Sequence, residues 1–183
     1  MRYVIYGAGA IGGSIGARLH QKGHDVVLIC RGKHLEAIQR DGLTFRTPGE
    51  TVQLPIPAAG HPSEIEFGDD DAVLLTMKSQ DTATALDDLR AAAGDVPVIC
   101  TQNGVANERM ALRLFTRVYA MLVFLPATLL EPGEVLMHAT SVGGVLDAGC
   151  YPEGVDSLIE RVTADLTGSG FSARPDPQVM RFK

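Results

Sequence analysis

The sequence has few cysteines, no long apolar run and no surplus of positive charge. Its three cysteines, Cys30, Cys100 and Cys150, stand far apart without CxxC spacing. That excludes a zinc ribbon and a disulfide framework, and makes a reduced, cytoplasmic protein the expectation. The longest unbroken apolar stretch is residues 118–125, well short of the roughly 18 residues that a membrane helix needs. Only Tyr3-Val4-Ile5-Tyr6 separates Arg2 from the first glycine, too little for a signal-peptide core. With 16 Lys and Arg against 22 Asp and Glu, the net charge is −6. A nucleic-acid or membrane-surface binder wants a basic face, so neither partner is expected. Repeats and low-complexity segments are also missing.

What is present is an ordinary globular composition: 183 residues, 45% of them apolar, with 20 glycines. At about 150 residues per domain this is one domain plus a remainder. Apolar runs predict strands over 3–6, 26–29, 72–77 and 98–101, and helical spacing predicts helices over 10–21, 34–40, 81–92 and 105–115. A hairpin is expected over 43–46 and 52–54, around Pro48-Gly49. Further on come strands over 118–125, 134–138 and 141–146, a helix over 153–166 and a short strand over 171–173. Pro175-Asp176-Pro177 then breaks the chain before the first turns of another helix. Strand and helix alternate, and the strands are continuously apolar. The expected fold is α/β, a Rossmann-type doubly wound and mostly parallel sheet with helices on both faces.

The glycines cluster where chemistry can use them. Gly7-Ala8-Gly9-Ala10-Ile11-Gly12 is a GxGxxG motif lying between the first strand and the first helix of a βαβ unit. In that context it is a dinucleotide fingerprint. Gly7 allows the sharp turn off the strand, Gly9 lets a pyrophosphate approach the backbone, and Gly12 lets the helix pack on the sheet. The free N–H groups and dipole of the helix start would hold the phosphate charge. Gly16, one turn on, extends the close-packed face. A glycine-rich turn with structural duty only is the plain alternative.

The end of the second strand reads the adenosine ribose, and NAD-binding sites usually carry Asp or Glu there. This chain has Cys30-Arg31. Arginine offers a fork of donors to a 2′-phosphate, so the expected cofactor is NADP(H), anchored by Arg31 with Lys33 or His34 as helpers. The alternative is that Arg31 is a solvated charge. Lys78 and Asn103 stand at the ends of two further strands, where ligands of open parallel sheets bind; each is equally readable as a cap or turn former. His20, His24, His61 and His138 have plain structural readings, as do Cys30 and Cys100. Asp69-Asp70-Asp71 is expected to be a solvated turn, and no metal site is expected.

Several blocks then resemble a family. Gly7 to Gly13 with Gly16-Ala17-Arg18-Leu19, Arg31-Gly32 with His34-Leu35-Glu36-Ala37-Ile38, Lys78, and Gln102-Asn103-Gly104-Val105 with Asn107-Glu108 look like the ketopantoate reductases (2-dehydropantoate 2-reductases). Pro126-Ala127 with Glu131-Pro132-Gly133 fits more loosely. Asp176-Pro177 with Val179-Met180-Arg181 is similar to the entry into the family's second domain.

The resemblance implies an NADPH-dependent reduction of 2-dehydropantoate to (R)-pantoate in pantothenate biosynthesis. Gly7, Ala8, Gly9, Ala10, Ile11 and Gly12 would hold the pyrophosphate and Arg31 the 2′-phosphate. Lys78, Asn103 and the backbone at Ala127 would lie along the nicotinamide half, with Asn103 also near the substrate. In that family a lysine on the first long helix of a C-terminal helical domain, within a Lys-Leu…Asn context, polarises the ketone. That string is absent here, and Lys183 falls just upstream of the position. Lys183 is therefore expected to be a solvated helix-start residue, and the main catalytic residues are expected beyond it.

The expected organisation is an NADP-binding domain over 1–170, then a connector and the start of a truncated helical domain over 171–183. Such a chain is expected to bind NADPH with negligible turnover. Two other functions stay open: a self-standing NADP(H)-binding sensor or regulatory module, and a reductase of another 2-oxo acid. The expected partners are a small-molecule 2-oxo acid and, at most, a second copy in a homodimer.

Overall fold

Apolar strands alternating with helices in the first half of the chain build a mainly parallel sheet. In chain order the elements are β1 (Arg2–Tyr6), α1 (Ala10–Gln21), β2 (Asp25–Ile29), α2 (Gly32–Asp41), β3 (Leu43–Arg46), β4 (Thr51–Leu54), β5 (Ala58–Ala59), β6 (Asp71–Leu75), α3 (Thr82–Ala93), β7 (Val98–Cys100), α4 (Asn107–Ala111), β8 (Val118–Met121), β9 (Ala127–Glu131), β10 (Glu134–Met137), β11 (Ala148–Cys150) and α5 (Ser157–Gly168). The computed structural model describes residues 1–139 and 142–183. Ser141, where a strand over 141–146 would begin, lies outside the described residues, and over 142–146 the chain forms no strand, only isolated bridges from Val145 to Phe124 and Ser172.

The main sheet has the order β11-β8-β7-β6-β1-β2-β5. Every neighbouring pair is parallel except β11 on β8. The chain fills one side of β1 with β2 and β5, then crosses to add β6, β7 and β8 on the other. This is the expected Rossmann-type arrangement, with its switch point between β1 and β6, where the carboxyl ends of the strands open a crevice.

Side chains leave the sheet alternately. Tyr3 and Ile5 enter a core shared with Ile15 and Leu19 of α1 and Ile159, Val162 and Leu166 of α5. Val4, Val73 and Leu75 enter the opposite core with Leu86 and Leu89 of α3 and Ala111 of α4. No helix among the described residues is long and apolar enough to cross a membrane.

A second sheet, ordered β4-β3-β10-β9, covers the outer side of α1. The expected hairpin is present as antiparallel β3–β4. Its union with β10 is parallel, with Thr44 opposite Glu134, a pairing between distant segments that has no local signature. Helix α1 is thus pressed from two sides, and its glycines answer both. A Cβ on Gly16 would lie 2.9 Å from Leu28 of the main sheet, and one on Gly13 would lie 2.9 Å from Val135 of the second sheet.

Four further expectations are corrected. The helix over 105–115 shrinks to α4, because Arg113 and Leu114 bond back three residues, to Met110 and Ala111, and tighten the chain into turns. The strand over 118–125 ends at Met121, although the N–H groups of Leu122 and Phe124 still reach Asp147 and Val145. The strand over 171–173 is a single bridge between Ser172 and Val145, followed by one between Pro175 and Ala148; Pro175 has no N–H to extend a ladder. Finally, Asp71 is not solvated. Strand register sets it opposite Arg2, and its side chain is 4% exposed, held by two guanidinium bonds of 2.8 and 2.6 Å and by the Gly68 N–H.

Candidate functional site

The crevice floor is the turn from β1 into α1. Gly7 has φ +106°, and a Cβ there would stand 2.5 Å from the Met77 nitrogen, so only glycine fits both the conformation and the space. The N–H groups of Gly7 and Ala8 both donate to the Ile29 carbonyl, and the Thr76 hydroxyl donates to the Gly7 carbonyl at 2.7 Å. These bonds fix the loop from the β2 side and the β6 side together.

Gly9 is the N-cap of α1. The helix start has no side-chain cap and no acidic residue in its first turn. The first helical bond runs from the Gly13 N–H to the Gly9 carbonyl, so the N–H groups of Ala10, Ile11 and Gly12 precede it and remain donors for an anion. Space is left for one: a Cβ on Gly9 would meet nothing within 4 Å. Gly12 is the opposite case, since a Cβ there would strike Thr76 and approach Ile5 to 2.9 Å.

Beyond the loop the crevice widens at two places that share Met77. A cavity of about 170 Å³ brings Gly7 and Arg31 together with Tyr6, Cys30, His61 and Asp81. Arg31 caps α2, its side chain is 79% exposed, and its guanidinium lies 3.8 Å from the Asp81 carboxylate. Burial pushes the Cys30 thiol up to about 11, so it stays protonated near neutral pH and is a wall residue rather than a nucleophile. The second cavity, of about 290 Å³, brings Ile11, Lys78 and Asn103 together with Thr76, Ser79, Gln102, Val123 and Leu125. Lys78 is the only charged residue among its described lining. Ala127 lies at the start of β9 opposite Met137 and lines neither cavity.

His34 does not face the Arg31 cavity as a helper. Its Nε2 bonds the Ala8 carbonyl and its Nδ1 accepts from the Gly133 N–H, which uses both ring nitrogens. Lys33 stays exposed.

Some residues that shape the site had no role assigned from sequence. Gln102 donates to Thr82 at 2.9 Å, Thr82 donates to Asn107 at 3.1 Å, and the Asn107 amide donates to Ser79 and to the Asn103 carbonyl. This buried chain ties the loop after β6 to the loop after β7. Gln102 and Asn107 fall in the block 102–108 that carries the family resemblance, whereas Thr82, in the polar stretch 79–84, has no local signal. Lys183, expected in solvent, is instead buried against Glu108 and the Cys100 carbonyl. Its partners are brought to it by the last turn, Val179–Arg181, folding back beside β8. Among the described residues no group of His, Cys, Asp and Glu could hold a metal ion.

Comparison with known proteins follows this geometry. The chain is 33% identical over its whole length to a 2-dehydropantoate 2-reductase of Pyrococcus horikoshii, of which it covers 58%. It is 41% identical over 107 residues to the enzyme of the same name from Mesorhizobium japonicum, covering 57% of this chain and 32% of that one. Among solved structures, a 2-dehydropantoate 2-reductase from Geobacter metallireducens superposes with a TM-score of 0.88 at 28% identity, covering 99% of this chain and 60% of that one. A D-mandelate dehydrogenase with NADH and anilino(oxo)acetate gives a TM-score of 0.85 at 27% identity, with 96% and 57% covered. The chain thus spans a little over half the length of the full-length relatives it matches. Residues 3–153 match the family model described as ketopantoate reductase PanE/ApbA, and the chain belongs to the ketopantoate reductase family.

Proposed function

We propose that this chain is the dinucleotide-binding part of an NADPH-dependent reductase that converts 2-dehydropantoate to (R)-pantoate. The observation that carries the reading is the crevice itself. An uncapped helix start with open space at Gly9 lies between an exposed arginine and a cavity lined by Lys78 and Asn103. The residues suit the cofactor. Ala10, Ile11 and Gly12 would donate to the pyrophosphate, and Arg31 to the 2′-phosphate. Lys78 and Asn103 would lie along the nicotinamide half, with Asn103 also donating to the oxo acid. When bound, the nicotinamide supplies the two electrons and one hydrogen that reduce a ketone. Ile11, Val123 and Leu125 give that end an apolar wall.

A second reading, NADH acting on another 2-oxo acid, draws on Asp81. Its carboxylate competes for Arg31 and would repel a 2′-phosphate, and one structural neighbour is named with NADH. Fluorescence titration of both cofactors against the unaltered chain and Arg31→Ala separates the two. The first reading expects NADPH affinity to fall about tenfold or more in the variant, the worth of a charge-assisted hydrogen bond, with NADH changing less than about twofold. Equal loss for both cofactors sinks the role of Arg31, and tighter NADH binding by the unaltered chain favours the second reading. Steady-state NADPH oxidation with 2-dehydropantoate by this chain alone is expected to be negligible, and normal turnover would place the catalytic groups within residues 1–183.

A further inference from the structure

His34 joins three parts of the molecule through one ring. It is the third residue of α2. Its Nε2 lies 2.8 Å from the Ala8 carbonyl oxygen in the glycine loop, and its Nδ1 lies 2.8 Å from the Gly133 nitrogen in the turn between β9 and β10. An amide N–H can only donate, so Nδ1 accepts. A carbonyl can only accept, so Nε2 carries the proton. The two partners therefore select the neutral ring in its Nε2–H tautomer.

Both attachment points are firm. The Ala8 N–H is bonded to the Ile29 carbonyl at 3.1 Å, and the Gly133 carbonyl accepts from the Thr44 N–H at 2.8 Å. Gly133, at φ +83°, lies so close to α2 that a Cβ would stand 2.8 Å from that of Ala37.

We propose that His34 is a positioning residue that sets the separation between the glycine loop and Arg31, the cap of its own helix. Those are the two places where the pyrophosphate and the 2′-phosphate of the dinucleotide would be held, so the proposal rests on the dinucleotide-binding reading above. The ring acts as a neutral strut and not as a cation on the phosphate. An imidazolium would turn a second N–H toward the Gly133 N–H and lose that bond.

The two ends of the strut can be cut separately. An asparagine amide reaches the place of Nδ1, and a glutamine amide reaches the place of Nε2. His34→Gln keeps the donor to Ala8 and is expected to bind NADPH within about twofold of the unaltered chain. His34→Asn and His34→Ala lose that donor and are expected to bind about fivefold to tenfold more weakly, the effect of one hydrogen bond. If His34→Ala does not fold, the Gln and Asn variants, each keeping one attachment, carry the comparison.

Long-range proton–nitrogen spectra of the ligand-free chain should show the Nε2–H tautomer. Equal affinity in all the variants, a Gln variant as weak as the Asn variant, or a ring protonated on Nδ1 overturns the proposal while leaving dinucleotide binding intact. An unaltered chain that binds neither NADPH nor NADH overturns the dinucleotide reading, and the proposal with it.

Discussion

Removing the ammonium of Lys183 is expected to destabilise the protein more than any change at an exposed lysine. Its Nζ donates to the Cys100 carbonyl at 2.7 Å and pairs with Glu108, so one cation closes both ends of the loop that carries Asn103. The Lys183 side chain is 2% exposed and that of Glu108 0%. The second carboxylate oxygen of Glu108 has no hydrogen-bond partner among the described residues. In Lys183→Met the carboxylate would remain buried without its cation, at a cost of about 3–5 kcal/mol. Removing both charges, in Glu108→Gln with Lys183→Met, takes away the desolvation penalty along with the attraction. That double variant should lose only about 1–2 kcal/mol, mainly the bond to the Cys100 carbonyl.

Urea denaturation at neutral pH reads both values. With a slope near 2 kcal/mol per molar, the single variant should shift the midpoint by about 2 molar and the double variant by less than 1. A Lys183→Met protein within about 1 kcal/mol of the unaltered chain would show that this ion pair is solvated in solution. A double variant as unstable as the single one would place the cost in packing of the lysine stem, not in the charge. Either result would refute the reasoning.

The glycine loop gives a paired test. Gly9→Ala, into open space at an ordinary φ of −73°, should leave the unfolding midpoint within error yet weaken NADPH binding. Gly12→Ala should cost about 1–3 kcal/mol, since its Cβ presses on Thr76 and Ile5; equal effects of the two substitutions on stability would contradict the geometry. Two phenols predict alkaline sensitivity. Burial, reinforced by a carboxylate acceptor, raises the pKa of Tyr3 beside Asp165 and of Tyr119 beside Asp156. A raised folded-state value means that the stabilisation is whole below the unfolded value near 10 and is lost as pH rises through it, by up to about 1.4 kcal/mol per pH unit for each phenol. Denaturation midpoints between pH 9 and 11.5 measure the slope, and Tyr3→Phe with Tyr119→Phe should reduce it, leaving the part due to the Cys30 and Cys100 thiols, which burial also raises.

What the sequence discloses and what it hides divide along one physical line. A demand made by the backbone on a single position is written locally. Gly7 must take φ +106°, and Gly12 and Gly16 must let a helix approach Ile5 and Leu28, so the loop, the first βαβ unit and the crevice above it were all legible from a dozen residues. The fate of a charged or polar side chain is decided by what a distant segment sets opposite it. Asp71 reads as part of an acidic turn until strand register places Arg2 across from it, and Lys183 reads as a solvated lysine until Glu108 is found 75 positions earlier. His34 belongs to the same class: its helix and its nearness to Arg31 are local facts, and its partner Gly133 comes from a sheet that forms only when β3 pairs with β10. The second sheet also explains why α1 carries glycine at position 13 as well as 12, since Val135 occupies the space a side chain would need. Sequence motifs thus locate where phosphate can be held, and long-range pairing decides how rigidly the holding groups are set. On this argument cofactor affinity is expected to respond to His34, Asn107 and Lys183's partner Glu108, none of which lies in the glycine motif.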